Sequence, residues 1–272
     1  MNHIFDSHAH YFDGRFATEV EGGADAILSQ IMPDTVSHII NVDTNLASSR
    51  AAVAQAAGYK GMYAAVGIHP EDCHYITDPD AALADLRNLL GSPQTRARDK
   101  IVAIGEIGLD YHWQFYGEIP MNKEKQAYFF DAQMHLAREL DLPVIIHDRE
   151  AHGDCFETVL RHPDVRGVFH SYSGSAEMAR ELVRRGWYIS FSGPVTYKNA
   201  ERVREAARAV PRDRLLIETD APYLAPHPMR GKLNHSGLLV YTAQTLAQLW
   251  ECTPDEVIET TSANAKALFK IA

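Results

Sequence analysis

The sequence repeats one pattern eight times: a short apolar run is followed by a longer segment with helical spacing. Several runs are apolar at nearly every position, as in Val144–Ile146 and Leu215–Ile217, which indicates strands covered on both faces. Strands that alternate with helices in this way predict parallel β-strands joined by helical crossovers. The eight runs are His3–Asp6, Ser37–Asp43, Met62–His69, Ile101–Glu106, Pro143–His147, Gly167–His170, Trp187–Ser192 and Arg214–Asp220.

Eight strand–helix units predict an α/β fold of the (β/α)8 or TIM-barrel type. Such a barrel occupies about 250 residues as one unit, so we expect a single domain over residues 1–272. The polar, loop-like segment Gly91–Lys100 is interpreted as a connection rather than a domain boundary. Thr253, Pro254 and Glu256 have the signature of a helix start, with a cap, a proline at the first helical position and an acid three residues after the cap.

Composition excludes several classes of protein. The longest apolar stretch, Met62–Ile68, is far shorter than the roughly 20 residues that span a membrane, and the first residues lack the basic and apolar regions of a secretory signal. Cys73, Cys155 and Cys252 are scattered and odd in number, which favours free thiols, so we expect a cytoplasmic protein. A net charge of −10 excludes an extended basic surface for nucleic acid.

Residues that bind metals cluster where the predicted strands end. His8 and His10 follow the first run as Asp-Ser-His-Ala-His, and residues two apart in an extended chain project to the same side. Four of the later runs end in a further candidate ligand, and the carboxyl ends of barrel strands are where active sites lie. These four residues are Glu106, His147, His170 and Asp220.

Four imidazoles and two carboxylates at one barrel mouth suit a site for two divalent metal ions. The predicted arrangement places His8, His10 and Asp220 on one ion, His147 and His170 on the other, and Glu106 between them. Imidazole-rich shells favour zinc, with manganese or magnesium as alternatives. Such ions lower the pKa of a water and polarise the bond to be cut. Asp220 and Glu106 are the predicted catalytic residues, with Asp220 also holding the proton of the water.

Five blocks of this sequence resemble the TatD family of metal-dependent hydrolases, a family related to the amidohydrolases and described as deoxyribonucleases. The resemblance extends from residue 5 to roughly residue 270 and includes Asn264-Ala265 and Leu268-Phe269. The blocks are Phe5-Asp6-Ser7-His8-Ala9-His10, Val66-Gly67-Ile68-His69-Pro70, Ala103-Ile104-Gly105-Glu106-Ile107-Gly108-Leu109-Asp110-Tyr111, Leu142-Pro143-Val144-Ile145-Ile146-His147 and Leu215-Leu216-Ile217-Glu218-Thr219-Asp220-Ala221-Pro222-Tyr223-Leu224.

The resemblance implies the barrel fold, hydrolysis, the metal roles given above to the six residues, and cleavage of phosphodiester bonds near DNA ends. Two segments depart from the family. After Asn234 the family reads Glu-Pro, whereas this chain has His235-Ser236. The segment His112–Asn122 is longer and richer in aromatic residues. The first departure leaves the six metal ligands intact but alters the residues around a substrate.

Further side chains near the strand ends have both a functional and a structural interpretation. The weaker candidates for substrate contact are His69, Arg149, Arg230 and Lys232. The histidine lies at the rim and contacts either the substrate or neighbouring side chains. The basic residues either neutralise a phosphate or remain solvated. Asp110, Tyr111 and Glu218 each have two interpretations: the side chain orients a ligand histidine, or its role is structural only. Trp113, Phe115 and Tyr116 stack on bases or pack the loop onto the barrel. Histidines away from strand ends are expected at the surface, namely His74, His135, His152, His162, His227 and His235.

The sequence therefore predicts a metal-dependent hydrolase, and three functions compete. A TatD-type deoxyribonuclease acting on nucleic acid ends is the first. The same activated water attacks a carbonyl as readily as a phosphorus, so an ester or amide hydrolase, such as a D-aminoacyl-tRNA deacylase, is the alternative. A non-catalytic binding protein is the third, and the complete ligand set argues against it. We expect a phosphate or ester substrate, no membrane association and no obligate protein partner.

Overall fold

The computed structural model describes residues 4–32 and 34–272. Its centre is a parallel sheet of eight strands, each paired with the next in the order β1-β2-β3-β4-β7-β8-β9-β10. A short antiparallel hairpin, β5 and β6, lies outside this sheet. The strands are β1 Ile4–Ala9, β2 Val36–Val42, β3 Met62–Val66, β4 Ile101–Asp110, β5 Phe115–Tyr116, β6 Ile119–Pro120, β7 Val144–Arg149, β8 Gly167–Phe169, β9 Tyr188–Phe191 and β10 Leu215–Ile217.

The first and last strands of the sheet meet, so the sheet closes into a barrel. The backbone N–H of Asp220 donates to the carbonyl of His8 at 2.9 Å, and the N–H of His10 donates to the carbonyl of Ala221 at 2.7 Å. Ala9 and Ala221 form a parallel bridge at the same level. With helices between its strands, the molecule has the predicted (β/α)8 TIM-barrel fold.

We call this contact between β1 and the segment that follows β10 the seam. The buried carboxylate of Asp6 extends the seam below the Ala9–Ala221 bridge. Asp6 Oδ1 accepts a hydrogen bond from the backbone N–H of Thr219 at 3.0 Å, and Asp6 Oδ2 accepts one from Thr219 Oγ1 at 2.6 Å. Ser236 Oγ donates to the same Oδ2 at 2.7 Å. Burial raises the pKa of Asp6 to about 7, although the hydrogen bonds from Thr219 and Ser236 oppose the shift.

Helices cover the outside of the barrel, and apolar side chains lie on both faces of the strands. Ile145 belongs to an inner cluster that also contains Phe5, Leu216 and Phe269 of the last helix, whereas its neighbour Val144 packs in the outer layer. This arrangement explains the continuous apolar runs in the sequence. The α-helices are α1 Gly14–Glu19, α2 Gly23–Ile31, α3 Leu46–Gly58, α4 Pro79–Leu90, α5 Pro93–Arg98, α6 Lys123–Leu140, α7 His152–Arg161, α8 Ala176–Arg184, α9 Glu201–Ala209, α10 Leu239–Trp250 and α11 Pro254–Phe269.

The sequence located all eight barrel strands but missed some of their limits. His3, the start of the first predicted run, lies outside the described residues, and β1 continues to Ala9. The connection Gly91–Lys100 is not the plain loop that its polar composition suggests, because α5 forms there. Ser92 caps this helix by accepting a hydrogen bond from the N–H of Thr95, and Pro93 follows at the first position. The predicted start of α11 is correct, since Thr253 and Glu256 form a capping box.

Helix length and polarity bear on the membrane prediction. Among residues 4–32 and 34–272, no helix combines the length and the apolar character required to cross a bilayer. This finding agrees with the short apolar runs noted in the sequence.

We expect Thr219→Val to lower the free energy of unfolding by about 1–3 kcal/mol, because the buried Asp6 carboxylate loses a donor while the volume of the side chain hardly changes. Urea unfolding of the metal-free protein at neutral pH measures the change. Thr18→Val is the matched control, since Thr18 is exposed and bonds only to its own helix. Equal stability of the two variants would show that the seam does not depend on this hydrogen bond.

Candidate metal centre

Four donor atoms from both sides of the seam converge at the carboxyl end of the barrel. His8 Nε2 lies 3.1 Å from His10 Nε2 and 3.3 Å from Glu106 Oε2. Asp220 Oδ1 lies 3.6 Å from His8 Nε2 and 3.2 Å from His10 Nε2. The fifth separation, between His10 Nε2 and Glu106 Oε2, is 3.8 Å. We call these four residues the seam group.

The spacing of the seam group matches the size of a small divalent ion. Metal bonds of 2.0–2.2 Å in a tetrahedron place neighbouring ligand atoms about 3.4 Å apart. The five separations, from 3.1 to 3.8 Å, bracket this value, and several exceed the length of a hydrogen bond. Five of the six separations in the seam group therefore suit a shared ion, and the donor atoms of His8, His10 and Glu106 all lie within 4.8 Å of one another.

The other oxygen of Glu106 faces a second set of imidazoles. Glu106 Oε1 lies 2.6 Å from His147 Nδ1 and 2.7 Å from His170 Nε2. These two nitrogens are 3.4 Å apart. His69 Nε2 approaches the same oxygen at 3.5 Å. The two oxygens of Glu106 thus point toward different histidines, which is the geometry that a bridging carboxylate requires.

The local backbone explains how the donors come together. His8 lies in β1 and His10 follows it, where the register of the β1–β2 pairing shifts between Asp6 and Ala9. Asp220 has a φ of 60°, a left-handed conformation that aspartate tolerates better than most residues. This turn after β10 places its carboxylate beside His10. The sequence thus brings residues that are 212 positions apart into contact.

Hydrogen bonds behind the donors fix the orientation of three imidazoles. His10 Nδ1 lies 2.6 Å from the carbonyl oxygen of Val42, and His170 Nδ1 lies 3.1 Å from Glu218 Oε1. His147 Nε2 lies 2.8 Å from Asp110 Oδ2. Such contacts hold the ring of a metal ligand and select its tautomer. Of the alternatives left open by the sequence, Asp110 and Glu218 therefore support histidines, whereas Tyr111 donates its hydroxyl to Asp154.

The carboxylates of the site are ionised despite their burial. Burial raises the pKa of Glu106, but nearby His170, His69 and His8 hold it well below its usual range. The pKa of Asp220 is likewise lowered, because His10 outweighs the effect of burial. Asp110, paired with His147, also has a lowered pKa. Buried negative charge of this density is stabilised by cations.

The pKa of each histidine in the site depends on its burial and on the charged groups next to it. Burial opposes the charge on His147, but hydrogen bonds to Asp110 and Glu106 raise its pKa to about 9. Burial also opposes the charge on His170, whose pKa is raised above its ordinary value by Glu106 and Glu218. Burial lowers the pKa of His8, and the adjacent His170 adds to this shift. In the metal-free protein, protonated His147 and His170 therefore balance the negative charge of the carboxylates, as a bound metal ion would otherwise do.

A cavity of about 450 Å³ opens onto this cluster. Its lining includes Glu106, His147, His170 and Asp220 together with rim residues such as Tyr223. A second cavity of about 390 Å³ adjoins it. Both cavities are lined by the same residues where they meet, namely His147, Arg149, His170, Asp220 and Tyr223.

The predicted substrate contacts divide into two pairs. His69 and Arg149 line the first cavity, and the guanidinium of Arg149 is partly exposed. Arg230 instead lies over the ring of Tyr197, 4.6 Å from its centroid, and the backbone N–H of Lys232 bonds to Met229. Neither Arg230 nor Lys232 lines either cavity, so proximity to a strand end in the sequence was insufficient to place them there.

The segment where the sequence departs from the TatD pattern takes part in the seam. Ser236 donates to Asp6, and its Oγ lies 2.8 Å from the hydroxyl of Tyr11, which also accepts from the N–H of Ser236 at 2.9 Å. His235 is half-buried, and burial lowers its pKa. The substitution of the usual Glu-Pro thus adds a hydrogen-bonding serine beneath the site.

The expectation that the histidines away from strand ends lie at the surface is wrong for two of the six. His74 and His162 are buried rather than at the surface, because each makes hydrogen bonds within the outer layer, to Asn122 and Asp131 respectively. Within the aromatic loop, Tyr116 is buried and donates to the carbonyl of Asp110. Trp113 and Phe115 are 48% and 58% exposed, so packing explains only part of this loop.

Comparisons with known proteins agree with the fold and the site. A sequence profile for TatD related DNases matches residues 5–270. The uncharacterized metal-dependent hydrolase YabD of Bacillus subtilis is 40% identical over 98% of this chain and 99% of its own length. For YcfH of Escherichia coli K12, with the same description, the identity is 35% over 98% and 96%. The crystal structure of YJJV, a TatD homolog from Escherichia coli, superposes with a TM-score of 0.86 at 30% identity, covering 99% of this chain and 98% of that one.

A closed barrel with imidazoles and carboxylates gathered at its carboxyl mouth is the architecture of a metal-dependent hydrolase. With the sequence matches above, the chain belongs to the TatD family of these enzymes. The resemblance read from its motifs is confirmed.

We expect Asp110→Asn to lower the pKa of His147 from about 9 toward 6.5 in metal-free protein, because one of two partner carboxylates loses its charge. NMR titration of the imidazole nitrogens measures this shift. The raised pKa also means that protonated His147 stabilises the metal-free fold fully below pH 6.5, and that this contribution is lost as the pH rises through 9.

Asp154→Asn serves as the control, since Asp154 contacts Tyr111 and not His147. An unchanged His147 pKa in Asp110→Asn would contradict the role given to this pair.

Proposed function

We propose that this chain is a deoxyribonuclease that hydrolyses phosphodiester bonds near DNA ends with two divalent metal ions, zinc being favoured. The proposal rests on one observation: Glu106 Oε2 faces His8 and His10, whereas Glu106 Oε1 faces His147 and His170. The seam group supports one ion, and His147 with His170 supports the second. Imidazole nitrogens in both sets favour zinc, while manganese and magnesium remain to be compared.

Each side chain at the mouth has a separate task in this reaction. Bound divalent ions supply Lewis acidity, which makes a water more acidic and polarises the phosphodiester. Glu106 holds the two halves of the cluster at a fixed separation. Asp220, kept as a carboxylate by its neighbours, accepts the proton of the attacking water. The water oxygen then bonds to phosphorus, the P–O ester bond breaks, and the leaving oxygen takes a proton from solvent.

The shape of the mouth supports a chain end as substrate. The two cavities meet at the donor residues, so one lobe accommodates the terminal nucleotide and the other the adjoining strand. Arg149 borders both lobes and is placed to neutralise a phosphate. A net charge of −10 is the opposite of the basic balance typical of proteins that grip duplex along its length, which favours short local contacts.

An exposed aromatic side chain next to Arg149 supports a single-stranded substrate. The guanidinium of Arg149 lies 5.5 Å from the centroid of the Trp113 ring, and nearly half of Trp113 is exposed. A base that leaves the helix can stack on such a ring while its phosphate pairs with the arginine. Trp113 is therefore assigned to base stacking.

Acidic residues at the rim favour a second candidate function, hydrolysis of an aminoacyl ester. Glu71 and Asp72 line the first cavity together with His69. Carboxylates repel a phosphate but pair with the ammonium group of an amino acid. A D-aminoacyl-tRNA would present such a group beside an ester carbonyl, which the same activated water attacks.

Substrate and metal are tested together on one panel. Metal-stripped protein, reloaded with zinc, manganese or magnesium, is assayed on single-stranded DNA, duplex DNA, D-aminoacyl-tRNA and a small carbon ester. We expect cleavage of single-stranded DNA from one end, greatest with zinc, and loss of turnover by about two orders of magnitude or more in His147→Ala. Release of mononucleotides against time measures the activity.

Faster hydrolysis of D-aminoacyl-tRNA than of DNA would replace the first function by the second. Absence of turnover on every substrate with every metal would favour a binding protein. Full activity of His147→Ala with two ions bound would contradict the assignment of this residue.

We expect Trp113→Ala to weaken binding of single-stranded DNA by about 1–3 kcal/mol, because one stacking contact is lost. Turnover of a small phosphodiester that carries no base should remain unchanged. Fluorescence anisotropy with a labelled oligonucleotide measures the affinity. Tyr128→Ala is the matched control, since Tyr128 is a comparably exposed aromatic residue that bonds to Asp80 on the outer layer. Equal affinities of both variants would exclude stacking on Trp113.

A further inference from the structure

A second group of metal-binding side chains lies in the outer layer of helices. Asp131 and His135 are four residues apart on α6, so they share one face of that helix. His162 directly follows α7. We call these three residues the α6–α7 cluster. None of them takes part in the site at the barrel mouth.

The side chains of the α6–α7 cluster are in mutual contact. His162 Nε2 lies 2.9 Å from Asp131 Oδ1, and His135 Nδ1 lies 3.3 Å from Asp131 Oδ2. The two imidazole rings meet edge to face, with centroids 4.6 Å apart and an interplanar angle of 88°. One donor atom from each residue lies within 4.8 Å of the other two.

Burial and charge favour a cation at this position. The side chain of His162 is only 2% exposed, whereas that of His135 is 52% exposed. The buried imidazole is therefore fixed, and the exposed one leaves room for water beside a bound ion. The pKa of Asp131 is lowered, because His162, His135 and Arg161 outweigh its partial burial, so the carboxylate is ionised at neutral pH.

We propose that the α6–α7 cluster binds one divalent transition-metal ion, zinc above all, independently of the ions at the barrel mouth. Two imidazoles and one carboxylate form a common ligand set for zinc, with water completing the coordination. The two contacts reach different oxygens of Asp131, and His135 Nδ1 also lies 2.9 Å from the backbone carbonyl oxygen of Asp131. A bound zinc ion would replace these hydrogen bonds, and the geometry that supports it is that one donor atom of each residue lies within 4.8 Å of the other two. Magnesium is disfavoured, since it prefers oxygen ligands.

One neighbouring charge opposes the ion. Arg161 Nη2 lies 3.7 Å from Asp131 Oδ1, and 55% of its side chain is exposed. Because the arginine is flexible and largely solvated, it can turn away when an ion binds. Its charge then lowers the affinity without blocking the site.

Binding would connect two helices of the outer layer. Asp131 and His135 belong to α6, and His162 belongs to the connection between α7 and β8. An ion held by all three links these segments, and an ion that binds only the folded state stabilises it in proportion to the logarithm of its concentration. The cluster would therefore act as a structural site.

The test counts ions in the full-length protein. Metal-free wild type and His135→Gln are titrated with Zn²⁺ by calorimetry, and bound zinc is then counted by elemental analysis after desalting. We expect the wild type to bind one equivalent more than His135→Gln. We also expect Asp131→Asn to lose the same equivalent and the zinc-induced rise in Tm to be smaller in both variants.

Glu139→Gln provides the matched control, because Glu139 is a carboxylate on the same helix that pairs with Arg87. This variant should bind as many ions as the wild type. Arg161→Gln should bind the additional ion about three- to tenfold more tightly, since it removes a nearby positive charge. Mg²⁺ should give no additional equivalent.

Equal zinc content and equal affinity in wild type, His135→Gln and Asp131→Asn would overturn the proposal and leave the cluster as a hydrogen-bonded contact. An unchanged affinity in Arg161→Gln would also count against it, and this variant keeps all three donors. Hydrolysis should be the same in His135→Gln and wild type. Failure of the proposed nuclease activity would leave the ion count unaffected, so the two proposals are tested separately.

Discussion

Closure of the sheet between its first and last strands is the constraint on which the site depends. His8 and His10 lie on one side of that seam and Asp220 on the other, so these donors meet only when β1 and β10 are joined. Backbone hydrogen bonds join them at the mouth, and Asp6 with Thr219 continues the contact below. A buried carboxylate there is stabilised by three hydroxyl or amide donors from other segments. Stability of the fold and integrity of the donor set are therefore linked through the same few hydrogen bonds.

Glu106 organises the chemistry within the closed barrel. Its oxygens face opposite directions, toward His8 and His10 on one side and toward His147 and His170 on the other. Asp110 and Glu218 stand behind the second pair and hold their rings. Negative charge is thus concentrated where divalent ions would bind, although the charge of the whole chain gives no sign of where this occurs. Local arrangement of carboxylates, rather than net charge, determines the properties of the mouth.

Sequence reasoning succeeded where the physics is periodic or local. Apolar runs located the eight strands, and the parallel arrangement places all their carboxyl ends together, so His8, Glu106 and Asp220 were expected as neighbours. Features that depend on side-chain packing were missed. The approach of His69 to Glu106 and the burial of His162 require the positions of helices that the sequence does not fix. The four-residue spacing of Asp131 and His135 on a helix was a usable signal, but their partner lies 27 residues beyond His135. Ser92 and Pro93 are a local signal for the start of α5. The segment was interpreted as loop-like because its composition is polar.

The seam has a consequence for how the protein is made. Donors at positions 8 and 220 are separated by 212 residues, so a ribosome that adds about 5–20 residues each second needs about 10–40 s between them. During that interval the growing chain exposes His8 and His10 without Asp220 or the strand that carries it. A complete donor set arises only after nearly the whole polypeptide has left the ribosome. An ion held by the seam group would therefore be acquired late in biogenesis, after the barrel has closed.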